Sequence, residues 1–192
     1  MVPNNAMVSE IAAIAKDAGL IDSNWIKCLA IKWKPSGRSY GGRKSGGPWM
    51  SINYNEGYLS PDELKICVDN IKWLKPGRRK ERFKRYVAKA SLGYGVWPEY
   101  ASFCKDSEIG DYFGTDDRAP LAILLCHEIA HAIDFTPGCL VIAGHKYLFP
   151  GRGHSSRWKA IYRLLRNAYV KSGKYNNTTG LPLSDNNYME VA

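Results

Sequence analysis

Two histidines bracket a glutamate in "LLCHEIAHAIDF", residues 124 to 135. Their spacing is H-E-x-x-H, and it lies inside an otherwise apolar run. His127 and His131 are four apart, so on a helix they share one face. Both imidazoles can reach a single ion at about 2.0–2.1 Å, the usual zinc–nitrogen distance. Glu128 points about 100° away from His127 around such a helix. It is poorly placed to be a third ligand but can reach a water held by the ion, where a general base belongs. The alternative is two core histidines that have found partners. Against it stands the helix context, because the motif carries its chemical meaning only when both histidines lie on one helical face.

A catalytic zinc takes three protein ligands and keeps one position open. The chain has four histidines, which leaves His145 and His154 as candidates for the third place. Asp134 lies on the same face as His127 and His131, further along, and is a ligand, a residue that orients an imidazole, or simply a polar residue at the helix end. His154 sits in "FPGRGHSSRWKAIYRLLRNAYV", where Gly151 and Gly153 allow a flexible approach and Ser155 or Ser156 can cap the next helix. A histidine at a helix N-terminus is held toward the neutral form that binds metal. His145, in "AGHKYLF", has no such setting and reads as a loop histidine.

The elements that must position these residues follow from periodicity and punctuation. Pro120 to Phe135 reads as a helix that ends before Pro137. Trp158, Ile161, Tyr162, Leu165, Ala168 and Tyr169 recur every three or four residues, which predicts a helix over 155–170. Val8, Ile11, Ala12, Ile14 and Ala15 form the apolar face of a short N-terminal helix. "WIKCLAIKWK" (25–34) and "WMSINY" (49–54) read as strands. Between them the glycine-rich "PSGRSYGGRKSGGP" fails as a phosphate loop, since Arg43 intrudes before Lys44-Ser45 and no helix follows. It reads as a hairpin or a substrate-edge loop. "SPDE" (60–63) starts a helix running to about Leu74, with Ser60 and Glu63 as a capping box. Residues 82–90 and the segment after them suggest a strand and then a long ordered loop.

"HEIAHA" followed by "GHSSRWKAIYRLLR" resembles the SprT-like family of zinc metallopeptidases, which includes the Spartan proteases. The resemblance covers roughly residues 20–170. It implies His127, His131 and His154 as zinc ligands and Glu128 as the base that activates water for peptide hydrolysis. It also implies a zincin-like arrangement and substrates that are proteins on DNA. The elements themselves predict an α+β fold, a small antiparallel sheet from the first half packed by the metal helix and the 155–170 helix. The chain departs from the family in three ways. Twenty-two residues separate His131 from His154, so His145, after thirteen, stays open as the third ligand. Ser155 replaces the family's glycine. The zinc ribbon that many members carry has no C-x-x-C counterpart in these 192 residues.

Tyr147, Tyr162 and Arg152 are near enough in sequence to stabilise an oxyanion, although Tyr162 also fits a core position. Two other readings remain open. One is a nucleic-acid-binding protein whose structural zinc is closed by Cys139 or His145. The other is a zinc hydrolase of non-peptide amides.

The composition bounds the rest. The chain has 192 residues, 45% of them hydrophobic, and a net charge of +9. The expected organisation is an N-terminal helix (1–19), a metallopeptidase domain (20–170) and a flexible tail (171–192). Lys72, Lys75, Arg78, Arg79, Lys80, Arg82, Lys84, Arg85 and Lys89 face one nearby carboxylate, Glu81. Such a block suits a polyanion, with DNA the first choice, or simply a solvated face. No run of eighteen apolar residues exists to span a membrane. Five cysteines with no C-x-x-C pair argue against a disulfide framework and for a cytoplasmic location.

Overall fold

A computed structural model describes residues 3–44, 47–67, 71–116, 118–151 and 153–177. It is a mixed α+β structure with three small sheets and, among the described residues, six α-helices. The chain divides into two compact units, Met1–Glu56 with Leu121–Ala192, and Gly57–Pro120.

In the first unit, helix α1 (Asn5–Asp17) starts where the Asn4 side chain accepts from the Met7 N–H, 3.1 Å. It buries Met7, Val8, Ile11, Ala12 and Ala15, the periodic apolar face. Asp22 caps a short helix α2 (Ser23–Lys27) by accepting from Trp25 N–H. That cap explains why the expected 25–34 strand is shorter, with β1 at Ala30–Lys34. The glycine-rich segment supplies β2 (Tyr40–Lys44), which forms a hairpin with β3 (Gly47–Asn53). The strand order is β1-β3-β2. β3 therefore lies between the other two, antiparallel to β2 but parallel to β1. The sheet is mixed, not antiparallel throughout as expected. Asn53 ties down the β1–β2 crossover. Its Nδ2 donates to Gly37 O (2.6 Å) and its N–H to Ser39 Oγ (2.9 Å).

The second unit opens with α3 (Pro61–Ile66), and both hydrogen bonds of the Ser60–Glu63 capping box are present. α3 ends at Ile66, short of the expected Leu74; residues 68–70 lie outside the described residues. The next element corrects the sequence reading. Residues 78–90 form helix α4 (Arg78–Ala90), where a strand was expected from residue 82. Its apolar signal is thin because only Tyr86 and Ala90 are buried. Polar contacts finish its inner face. Arg82 and Arg85 both pair with Asp111, whose side chain is 1% exposed. Strands β4 (Gly95–Trp97) and β5 (Tyr112–Gly114) pair antiparallel. Leu64, Tyr86, Ala90 and Val96 form a core with Leu59 and Phe113 against it.

Helix α5 (Ala119–Asp134) carries the H-E-x-x-H segment and is followed by a hairpin of β6 (Leu140–Ile142) and β7 (His145–Tyr147). Ala143 and Gly144, at φ 49° and 78°, make its two-residue turn, the positive-φ pair that tight hairpins need. Helix α6 (Ser156–Arg166) runs on as a π turn (Asn167–Lys171) and a 3-10 turn (Lys174–Asn177). The tail was expected from Lys171, yet Tyr175 is buried; residues 178–192 lie outside the described residues. No helix among the described residues is long and apolar enough to cross a membrane.

Candidate metal centre

Helix α5 is buried along almost its whole length, with Leu121 to Ala130 all inside. A helix so apolar is held by packing on every side, and Trp25 Nε1 fixes its far end by donating to Thr136 Oγ1, 3.0 Å. His127 and Glu128 are 6% and 5% exposed. Helix α6 brings the other half of the site. Ser155 caps it, accepting from Trp158 N–H at 3.1 Å. His154 therefore stands immediately before the helix start, as the sequence suggested.

The three imidazoles converge. His154 Nε2 lies 3.2 Å from both His127 Nε2 and His131 Nε2. Three ring nitrogens crowded this closely repel one another through their lone pairs, and a shared cation converts that repulsion into coordination. The spacing suits such an ion. Bonds of about 2.0–2.1 Å at tetrahedral angles put ligand nitrogens roughly 3.3 Å apart. Burial, and after it the two neighbouring imidazoles, pushes the His131 pKa down to about 3. His131 is thus neutral, the form a metal requires. The group of three can hold a metal ion.

Trp158 floors this cluster. It is fully buried, and its ring centroid lies 4.4 to 5.0 Å from those of all three histidines. The sequence marked it as an apolar helix position and, with Lys159, as part of the stretch that carries the family resemblance. Its place four residues after His154 was the available signal.

The other candidates separate clearly. His145 begins β7, is exposed, and has Nδ1 3.2 Å from Ala143 O; it does not join the cluster. Neither do Cys126, which is fully buried, and Cys139, which is exposed. Among the described residues no fourth ligand closes the site. Tyr162 is fully buried, and its hydroxyl accepts from Arg166 Nη1 at 3.3 Å, so it is a core residue. Tyr147 lies in β7, and Arg152 lies outside the described residues.

Asp134 also stays out of the cluster. Burial raises its carboxyl pKa, against the lowering pull of Gly151, Arg157 and Ser155. Arg157, 2% exposed, donates to the carbonyls of Thr136 (2.8 Å) and Gly138 (2.9 Å) beyond the end of α5. Helical periodicity gave no hint that this arginine is buried.

No family model, curated protein or solved structure matches the chain.

Strand β2 packs directly on the Glu128–His131 turn of α5. A Cβ at Gly41 would stand 1.9 Å from the Glu128 carbonyl oxygen and 3.0 Å from His131 Cβ. Only glycine lets the strand lie this close to the helix.

The basic block lies in the second unit. Lys72, Lys75, Arg78 and Arg79 are exposed, and Lys80 is half-buried. Arg82 and Arg85 are engaged by Asp111, and Lys84 pairs with Glu81 at 2.9 Å. Lys89 Nζ lies over the Tyr94 and Phe113 rings.

Proposed function

We propose that the chain is a zinc-dependent endopeptidase of the SprT-like kind, with a zincin-like arrangement around the metal. The observation that carries this is the convergence of His127, His131 and His154 beside a buried Glu128 on the same helix. Three imidazoles with no fourth protein ligand among the described residues suit a catalytic zinc better than a closed structural one. When bound, zinc supplies Lewis acidity, polarising a scissile carbonyl and making water acidic near neutral pH.

The chain's own residues supply the rest. His127, His131 and His154 would hold the ion through their converging Nε2 atoms. Glu128 takes the proton from the attacking water and passes it to the leaving amine. Trp158 keeps the cluster's floor dry, which strengthens every charge interaction above it. Strand β2 is the edge of its sheet and presses on the Glu128 backbone. An extended peptide can add to such an edge, and that favours protein over small amides as substrate.

Substrates on DNA agree with the cations at the start of α4, of which Arg78 and Arg79 are exposed. Arg78, Arg79 and Lys80 occupy the first turn of a helix whose cap, Gly77, gives no side-chain bond. Cations there oppose the helix dipole, so an anionic partner would relieve them. A cytoplasmic setting agrees with five free thiols.

The test compares wild type with Glu128→Gln, both zinc-loaded, on an unfolded protein, a DNA-bound protein and small acyl amides. Protein cleavage lost by at least 100-fold in Glu128→Gln supports the reading. Cleavage of amides alone favours the non-peptide hydrolase. No cleavage of either by wild type overturns the enzyme.

A further inference from the structure

We infer that Asp134 is the positioning residue for the third metal ligand, clamping the loop that carries His154 onto helix α5. The inference rests on the metal reading above. His154 lies in Gly151–Ser155, and glycine at 151 and 153 makes that segment conformationally free. Something must fix it, because a ligand misplaced by even a fraction of an ångström coordinates poorly. Asp134 sits one turn beyond His131 on the same helix and is 1% exposed. Its carboxylate accepts from Gly151 N–H at 3.4 Å and from Ser155 Oγ–H at 3.2 Å. One side chain therefore ties both ends of the His154 segment.

Arg157 completes the clamp. Its Nε lies 3.4 Å from Asp134 Oδ1, while its two terminal nitrogens hold the carbonyls of Thr136 and Gly138. The first turn of α6 is thereby fixed to the end of α5 independently of any ion. The loop closes tightly on the carboxylate. A Cβ at Gly151 would stand 2.0 Å from Ser155 Oγ and 3.2 Å from Asp134 Oδ2. The distance between the helix-borne ligands and the loop-borne ligand is thus set by Asp134, which touches no imidazole. Residues that act this way behind metal ligands typically change affinity by about 10–100-fold.

The experiment measures zinc affinity by competition with a chromophoric chelator, and the cobalt(II) absorption spectrum, for four proteins. These are wild type, His154→Ala, Asp134→Asn, and the double variant Asp134→Leu with Arg157→Met. The last removes the clamp without leaving a buried charge unpaired. Circular dichroism verifies folding of each apo protein. The expected result is a loss of about 10–100-fold in zinc affinity in both Asp134 variants. Their cobalt spectra should depart from that of wild type, while His154→Ala, which lacks the ligand itself, should lose more affinity than either. Affinity within twofold of wild type in a folded Asp134 variant, with His154→Ala still defective, overturns the clamp and leaves the metal site standing. If both Asp134 variants unfold, Ser155→Asp carries the test, since Asp caps α6 as Ser155 does but cannot donate to the Asp134 carboxylate. A severalfold loss supports the clamp, and unchanged affinity overturns it. A wild type that takes up no metal overturns the metal site and the clamp together.

Discussion

Gly41 and the Glu128 carbonyl are in direct contact, so a strand from the first half of the chain rests on the backbone of the proposed general base. A methyl group at position 41 would stand 1.9 Å from that oxygen, and backbone cannot swing aside as a side chain can. Gly41→Ala must therefore push β2 away from α5. Overpacking of this kind costs about 1–3 kcal/mol. Gly42 is the internal control, since a Cβ there meets only Phe135, at 3.7 Å. Thermal unfolding should show Gly41→Ala clearly destabilised and Gly42→Ala nearly unchanged. Equal effects in the two variants would mean that β2 does not press on α5.

Elemental analysis should find one zinc per chain in wild type and in His145→Ala, and none in His154→Ala. The reason is positional: His145 is held in its hairpin with Nδ1 near Ala143 O, whereas His154 is 3.2 Å from both other imidazoles. Chelation should also lower the melting temperature, because an ion that binds only the folded state stabilises it. At free zinc 100-fold above Kd that term is about 2.7 kcal/mol. A melting temperature indifferent to chelator, or zinc lost with His145→Ala, would count against the assigned ligands.

The metal helix and the helix after it were legible because both carry strong local signals. H-E-x-x-H has one geometric meaning on a helix, and Ser155 is a cap that acts within its own turn. The choice of His154 over His145 was not fixed by local pattern, since it depends on how the 137–153 segment folds back. Helix α4 was missed for a related reason. Its inner face is completed by Arg82 and Arg85 pairing with Asp111, and no periodicity of apolar residues reports an ion pair made 29 and 26 positions away. Asp134 with Arg157, and Gly41 with Glu128, are likewise pairings across the fold that spacing cannot show.

Thiol labelling separates the catalytic from the structural reading of the zinc. Burial drives the Cys126 thiol far above its ordinary range, and the side chain is fully inside. A thiol there is inert, because the thiolate is the reactive species. Cys139 is exposed. Alkylation of the native protein at pH 8, followed by mass spectrometry, should modify Cys139 readily and spare Cys126 until the chain is unfolded. Adding zinc should leave the Cys139 rate unchanged. Protection of Cys139 by zinc would make it a ligand, and would favour the closed structural site.

The basic block divides into cations that build the second unit and cations free to meet a partner. Asp111 is 1% exposed and receives both Arg82 and Arg85, and its Oδ1 also accepts from Glu99 N–H at 2.9 Å. Asp111→Ala leaves two half-buried guanidinium groups facing each other without their counter-ion, a loss of about 1–3 kcal/mol. Lys75, Arg78 and Arg79 are exposed, and charge reversal there should change stability by no more than about 0.5 kcal/mol each. If the surface meets DNA, those reversals should weaken binding in proportion to the phosphates released. Each lost contact should reduce the slope of log affinity against log salt by about 0.9. Fluorescence anisotropy across a salt series measures this directly. An unchanged slope in the Lys75, Arg78, Arg79 triple reversal would make these residues a solvated face and remove DNA from the proposed substrate. Loss of stability in that triple, equal to the loss in Asp111→Ala, would show that these cations belong to the fold as well.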